Sequence, residues 1–186
     1  MPEPRIPPVT EPTEEQREAL GKGMARDGVP LNIAATLAHH PRLLRRFNVL
    51  GGAFLARGLV PEREREIVVL RVGWRCGSDY EFGQHTLIGR EVGLTDDEIA
   101  RLATEGTAGW DAGDRLLVAL ADELCAADTV DGATWAALAE RWSDPQLLEL
   151  VLLAGFYRMV SGFLNSVGVR REEGVPGFPA GTQPSA

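Results

Sequence analysis

The sequence has few cysteines and few lysines, and each shortage excludes a class of protein. Its 186 residues include two cysteines, Cys76 and Cys125, which stand far apart and match no metal-site or redox spacing. We therefore expect reduced, partly buried thiols and a cytoplasmic location. Lys22 is the only lysine, and 27 acidic residues against 19 basic ones give a net charge of −8. This balance disfavours a surface for nucleic-acid phosphates.

Long apolar runs are scarce as well. The N-terminus lacks the apolar core of a secretory signal, and the longest apolar stretch, residues 147–156, is short and includes Glu149. No membrane partner is expected. With three histidines and no repeated spacing of histidines and carboxylates, the sequence also predicts no metal ion and no other cofactor.

What is present is the composition of one globular domain, with 44% hydrophobic and 25% charged residues. Apolar residues recur at helical spacing and nowhere alternate with the period of a strand, so the predicted fold class is all-α. A proline-rich arm over residues 1–12 precedes the predicted helical domain, 13–172, and a flexible tail over 173–186 follows it. Capping pairs and prolines place nine predicted helices at 14–26, 31–39, 41–56, 61–75, 79–92, 96–104, 111–127, 131–142 and 145–169.

One helix–turn–helix carries the candidate chemistry. On its first helix Glu66 shares an apolar stripe with Leu70 and Gly73, so the carboxylate faces the packed side. On its second helix Glu81 and His85 stand four residues apart on one face. Helices joined by a short turn pack as antiparallel neighbours, and we expect the two carboxylates and the imidazole to meet between them.

The stretch from Pro61 to Leu102, PEREREIVVLRVGWRCGSDYEFGQHTLIGREVGLTDDEIARL, resembles the core of the carboxymuconolactone decarboxylase and alkylhydroperoxidase D superfamily. The likeness spans residues 31–105. The resemblance implies a helical domain that assembles with copies of itself, as a trimer or a hexamer. The predicted helix 145–169 is apolar over most of its circumference, which agrees with burial against another subunit.

The thiol-dependent branch of this superfamily carries a Glu, eleven residues, a Cys, two residues, a second Cys, three residues and a His. Aligned on Glu66 and His85, this sequence has Ser78 and Glu81 where the two cysteines belong. A hydroxyl and a carboxylate form no disulfide, so a peroxide-reducing, alkylhydroperoxidase-like antioxidant is disfavoured. The segment YEFGQH instead resembles the thiol-free, decarboxylase-like branch.

This resemblance implies acid/base chemistry, as in a lyase or an isomerase, on a small organic acid or lactone. In that interpretation His85 donates a proton or stabilises an oxyanion, and Glu66 orients it. Glu81 is a second acid or base, and Tyr80 supplies a phenol donor. Two alternatives remain open. The first is a catalytically silent member of the fold, which would only bind a small molecule or assemble with copies of itself. The second is a helical transcription regulator, which would need a basic N-terminal helix that the acidic residues 1–30 do not provide.

Each candidate residue also has a purely structural explanation. Ser78 and Glu81 match the S-x-x-E capping box at the start of a helix. Glu66 belongs to a buried ion pair if an arginine such as Arg71 lies near it. His85, on an apolar helix face, is otherwise a histidine of the core.

Overall fold

The computed structural model describes residues 3–21 and 23–183. Within them the fold consists of nine α-helices and one short hairpin: α1 (Glu14–Leu20), β1 (Ala25–Arg26), β2 (Val29–Pro30), α2 (Asn32–Leu37), α3 (Pro41–Leu55), α4 (Glu62–Arg75), α5 (Asp79–Glu91), α6 (Asp96–Leu102), α7 (Ala112–Ala127), α8 (Gly132–Ala139) and α9 (Asp144–Val167). The predicted all-α class is confirmed, and every predicted helix is present.

The first predicted helix, 14–26, is too long. It ends at Leu20 and is followed by the antiparallel hairpin of β1 and β2. Asp27 and Gly28 have positive φ angles of 51° and 80°. They form the turn of the hairpin, whereas the helix itself ends at its C-cap Gly21, which has a positive φ angle of 52°. Lys22 lies outside the described residues.

Local side-chain chemistry sets several helix starts. Reciprocal capping boxes are present where the sequence predicts them, at Thr13 and at Thr95. The capping box predicted at Ser78 is wrong. Ser78 is the N-cap of α5, but its hydroxyl makes no capping hydrogen bond and has no hydrogen-bond partner in the described part of the chain. Glu81 bonds to His85 instead of to the start of its helix.

Helix α4 is the centre of the fold. It packs against α5, α7 and α9, and residues 65–74 are all buried. Arg71 is among them, and its Nε lies 2.5 Å from Asp122 Oδ1 of α7. A buried guanidinium needs such a partner, because an unpaired charge in the core is strongly destabilising. Arg71 is therefore not the arginine that pairs with Glu66, and the neighbouring arginine that does so is Arg65.

The proline-rich arm lies along its own domain. The backbone N–H of Arg5 donates to the carbonyl of Val167 at 2.8 Å, and that of Val9 donates to the carbonyl of Ala35 at 3.1 Å. These bonds attach the arm to the end of α9 and to α2. Residues 1 and 2 of the predicted arm lie outside the described residues.

The C-terminal segment, residues 169–183, crosses the outside of α5. The backbone N–H of Phe178 donates to Asp79 Oδ1 at 2.8 Å, and Val175 is buried. Contacts of α5 with the segment reach Phe178, and Trp74 Nε1 of α4 donates to the carbonyl of Thr182 at 2.5 Å. The flexible tail over 173–186 stays a prediction. Its last three residues lie outside the described part of the chain.

Helix α9 is long and apolar. Of the helices in the described residues, it is the one whose length and composition would suit a membrane crossing. Its most apolar stretch of 18 residues has a mean hydropathy of 1.6, and half of that stretch is buried inside the fold. Core helices have the same character. Its outer face exposes Leu148, Leu152 and Met159.

Candidate active site

Two carboxylates and one imidazole meet between α4 and α5, which is the arrangement that their spacing predicts. His85 Nδ1 lies 2.5 Å from Glu66 Oε2, and His85 Nε2 lies 3.0 Å from Glu81 Oε1. Arg65 Nε approaches the other oxygen of Glu66, Oε1, at 2.9 Å. All four side chains are buried, and Glu66 is 0% exposed. We call Glu66, His85 and Glu81 the Glu–His–Glu triad.

The packing of the two helices positions this triad. Glu81 and His85 are one helical turn apart on α5, so both side chains lie on the same face. On α4, Gly73 lies two turns beyond Glu66 on the same face. A Cβ atom at residue 73 would come within 3.3 Å of the backbone nitrogen of Phe82. The missing side chain therefore lets α5 approach α4 closely enough for the carboxylate and the ring to bond.

The triad holds its imidazole in the charged form. Burial disfavours an imidazolium, but the carboxylates of Glu66 and Glu81 outweigh burial and raise the pKa of His85 to about 10. Burial also opposes the ionisation of Glu66, and the neighbouring cations of His85 and Arg65 overcome it and lower the pKa of Glu66. At neutral pH the group is a buried imidazolium that donates one N–H to each carboxylate.

An apolar cavity of about 280 Å³ opens beside the triad. Phe47, Phe156 and Val160 contribute to its walls, and Glu81 and His85 supply polar atoms. None of the described residues that line it is a lysine or an arginine. The part of the chain that the structure describes also contains no group of three or more side chains placed to hold a metal ion.

Tyr80 is the predicted phenol donor, but its hydroxyl bonds to residues outside the triad. The hydroxyl donates to Glu172 Oε1 at 2.9 Å and accepts from the backbone N–H of Ile33 at 3.3 Å. Burial and then the charge of Glu172 raise the pKa of Tyr80 above its ordinary value. Although the residue lines the cavity, the structure does not bring its hydroxyl together with the Glu–His–Glu triad.

Tyr157 of α9 is the functional candidate that the sequence did not predict. Its ring lies edge-on to the ring of His85, with centroids 4.9 Å apart, and it lines the cavity. Its hydroxyl makes no hydrogen bond to any other described residue. Burial, followed by the charges of Glu81 and Glu66, raises the pKa of Tyr157 well above its ordinary value, so the phenol stays protonated. No spacing in the sequence connects this residue to the triad, because the contact depends on how α9 crosses α5.

Comparisons with known proteins identify the class of helical fold to which this arrangement of nine described helices is similar. Residues 41–123 match the carboxymuconolactone decarboxylase family. One similar solved structure is the alkylhydroperoxidase AhpD core of an uncharacterized peroxidase-related protein from Ralstonia eutropha JMP134. It superposes on this chain with a TM-score of 0.77 at 22% sequence identity, over 93% of this chain and 94% of that chain. Over residues 41–123 the chain is thus similar to the carboxymuconolactone decarboxylase family, and its fold is similar to that of the alkylhydroperoxidase AhpD core.

Two further structures show how widely this fold is used. A peroxidase-related protein from Silicibacter sp. TM1040 has a TM-score of 0.79 at 16% identity, over 94% of this chain and 97% of that chain. The debrominase Bmp8 has a TM-score of 0.69 at 14% identity, over 90% of this chain and 92% of that chain. No curated protein matches significantly. Likeness at these identities concerns the fold, so the reaction must be argued from the site.

Proposed function

We propose that this protein is a thiol-free acid/base enzyme of the superfamily, a lyase or an isomerase that moves a proton on a small organic molecule. One observation carries the proposal: a buried imidazole ring lies between two carboxylates, at 2.5 Å and 3.0 Å, beside an apolar cavity. Perturbed titratable groups in a water-poor pocket are typical of acid/base sites. The branch that uses two cysteines is not supported, because Ser78 and Glu81 occupy their positions.

The hydrogen bonds assign a role to each member of the triad. Both ring nitrogens of His85 are engaged, so the ring is not itself free to meet a substrate. Glu81 bonds to the ring through Oε1 and lines the cavity, which leaves its second oxygen to take a proton from a substrate carbon and return it. His85 keeps its proton and holds the opposite charge beside Glu81, which stabilises the Glu81 carboxylate before it takes the proton and after it returns it. Glu66, fixed by Arg65, sets the orientation of the ring.

An enolate-forming reaction also needs a donor at the oxygen where negative charge develops. The protonated hydroxyl of Tyr157 fits this role, since it borders the cavity and has no partner among the described residues. Tyr80 is the poorer candidate because Glu172 accepts its proton. We therefore assign the phenol donor to Tyr157.

The charges of the site favour a neutral substrate. The cations of His85 and Arg65 balance the anions of Glu66 and Glu81, and no lysine or arginine among the described residues lines the cavity. Among the described residues that line the cavity, a substrate carboxylate would find no cationic partner to replace its lost hydration. Of the two substrate classes that the resemblance implies, the lactone fits this cavity better than the organic acid.

Hydrogen exchange tests this function directly. The protein is incubated in D2O with a panel of unsaturated γ-lactones, and 1H NMR follows the loss of ring C–H signals and the appearance of products. We expect exchange or turnover by the wild type, and a loss of about 100-fold or more for Glu81→Gln, since positioned acid/base groups contribute about 10²–10⁴ in rate. Tyr157→Phe is expected to lose more activity than Tyr80→Phe.

Glu91→Gln is the matched control, because Glu91 is an exposed carboxylate on the same helix as Glu81. It should keep the wild-type rate. Lactones that bind, broadening their signals, yet never exchange would favour the silent ligand-binding alternative. A Glu81→Gln protein as active as the wild type would contradict the proposal.

A further inference from the structure

Asn48 of α3 is a polar residue of the cavity wall that the proposed proton transfer does not use. It lines the apolar cavity beside the Glu–His–Glu triad. Its side-chain oxygen, Oδ1, is buried and has no hydrogen-bond partner among the described residues. Most buried polar atoms in proteins are paired, because an unpaired one destabilises the folded state. An acceptor left unpaired in the wall of a cavity therefore points to a ligand that pairs with it.

The geometry of α3 directs this amide toward the cavity. Asn48, Gly52 and Leu55 are four and then three residues apart, so they lie on one face of the helix, and all three line the cavity. A Cβ atom at residue 52 would meet nothing within 4 Å. The glycine therefore leaves open space one helical turn beyond the amide, where a bound molecule has room.

Aromatic contacts with α9 hold this wall in place. The ring of Phe156 packs on the ring of Phe47, with centroids 5.2 Å apart, and on that of Phe54, at 5.5 Å. A Cβ atom at residue 51 would also lie 3.6 Å from the Phe156 ring. Helix α3 is thus packed against the helix that carries Tyr157, and the Asn48 amide and the Tyr157 phenol border the same apolar space.

Gln84, the other amide in the described cavity wall, is already satisfied. Its Nε2 donates to Glu172 Oε2, and its Oε1 accepts from Arg26 NH2 at 3.1 Å. A ligand that took either bond would leave a charged partner of this amide without it. Gln84 is therefore a poor group for binding a substrate.

The other polar side chains of the described wall are also accounted for. Both ring nitrogens of His85 and the hydroxyl of Tyr80 are bonded to carboxylates. The second oxygen of Glu81 and the hydroxyl of Tyr157 have roles in the proposed reaction. The amide of Asn48 is thus the polar side chain left for recognising a part of the substrate that does not react.

We propose that Asn48 is a specificity-determining residue that selects a substrate with a hydroxyl group. The inference rests on the proposed function and narrows its substrate to a hydroxylated, uncharged lactone. A hydroxyl group can donate to Oδ1 or accept from Nδ2, whereas a carbonyl or a carboxylate can only accept and would leave Oδ1 unpaired. Sites that bind a substrate hydroxyl in this way reject the analogue that lacks it, because their buried polar group then has no partner.

Matched pairs of lactones test this selection. Each pair consists of an unsaturated γ-lactone with a hydroxymethyl group on one ring carbon and its analogue with a methyl group there, and the pairs cover every substitutable ring carbon. Titration calorimetry measures both Kd values with the full-length protein. We expect the wild type to bind at least one hydroxymethyl lactone about tenfold or more tightly than its methyl analogue, as expected for one hydrogen bond that would otherwise be unmade.

Asn48→Leu replaces the amide by an apolar side chain of similar shape. The ratio of the two Kd values should fall to about one, and the melting temperature should not fall, because the unpaired acceptor is gone. A merely structural role would give the opposite result, a less stable protein with an unchanged ratio. Asn48→Ala is a second variant that should also remove the preference. Arg46→Gln, an exposed change on the same helix, is the control and should keep the wild-type ratio.

The outcomes separate this inference from the proposed function. A wild type that exchanges lactone protons but binds both members of every pair equally would overturn the selection by Asn48 and leave the acid/base function intact. A preference that Asn48→Leu removes, in a protein that exchanges no lactone, would uphold the selection and contradict the acid/base function. A wild type that binds none of the lactones, or a preference that survives in both Asn48 variants, would overturn the inference.

Discussion

At the scale of the residue, the charge of His85 depends on its two bonds to carboxylates. Its folded pKa of about 10 lies above the ordinary value of 6.5, so ionisation of this ring stabilises the folded state. That contribution is complete below about pH 6.5 and is lost as the pH rises through about 10. Glu66 behaves in the opposite sense, because its pKa is lowered: its contribution is present above the ordinary value of 4.5 and is lost as the pH falls.

These two dependences belong to one ion pair, and both contributions are complete only between about pH 4.5 and pH 6.5. Above that range the contribution of His85 declines up to about pH 10, and at still higher pH a single charge would remain buried between α4 and α5. The pair that would orient the proposed chemistry also holds the two helices together.

At the scale of the element, the C-terminal segment is the outer wall of α5. Arg171 Nε lies 2.7 Å from Asp79 Oδ2, and the Phe178 ring packs on the Phe82 ring with centroids 5.1 Å apart. Gly83 provides the space for this contact. A Cβ at residue 83 would meet the carbonyl oxygen of Pro176.

Gly83→Ala should therefore destabilise the protein, because the segment cannot lie as close to α5. Overpacking typically costs about 1–3 kcal/mol, and for this size each kcal/mol lowers the melting temperature by roughly 2–4 °C. Thermal unfolding measures the effect. Gly132→Ala is the control, since a Cβ at that helical glycine meets nothing within 4 Å and the change should be neutral or stabilising. A Gly83→Ala protein as stable as this control would contradict the packing described here.

Helix positions and the triad were predictable from the sequence because they depend on local chemistry. Caps and prolines act within one turn, and the spacing from Glu66 to His85 spans a single helix–turn–helix. The contacts that the sequence missed join distant segments. Tyr157 reaches His85 only because α9 packs on the central helices.

Other sequence interpretations differ from the structure because a charged side chain had both a local and a distant partner available. Ser78 and Glu81 match a capping box, yet Glu81 bonds to the buried ring of His85. The bond of Glu81 to the imidazolium joins two charged groups, whereas a bond to the backbone N–H of Ser78 would have only one charged partner. Arg71 is a similar case, since it pairs with Asp122 of α7 while Glu66 pairs with Arg65.

At the scale of the whole molecule, we propose that the chain assembles with copies of itself, as a trimer or a hexamer. The outer face of α9 exposes Leu148 by 64%, Leu152 by 63% and Met159 by 56%. Leu148 and Leu152 are one turn apart, so they form a continuous apolar ridge. Exposed apolar ridges of this kind are typical of subunit interfaces.

Light scattering coupled to size exclusion measures this assembly. We expect a mass that is a multiple of 20.2 kDa, and a lower multiple for Leu148→Glu, which places a charge in the ridge. Glu140→Gln, an exposed change on α8's C-cap, is the control and should keep the wild-type mass. A wild-type protein that elutes with the mass of one chain would contradict the proposal.

The protonation state of His85 is the most direct measure of the central claim, that a buried imidazolium is held between two carboxylates. Long-range 1H–15N NMR of histidine-labelled protein reports the protonation of both ring nitrogens, and His85→Gln assigns the signal among the three histidines. We predict that His85 carries both protons at pH 7.5 and loses one only near pH 10. A ring that titrates near its ordinary value of 6.5, or that is neutral at pH 7.5, would contradict the account.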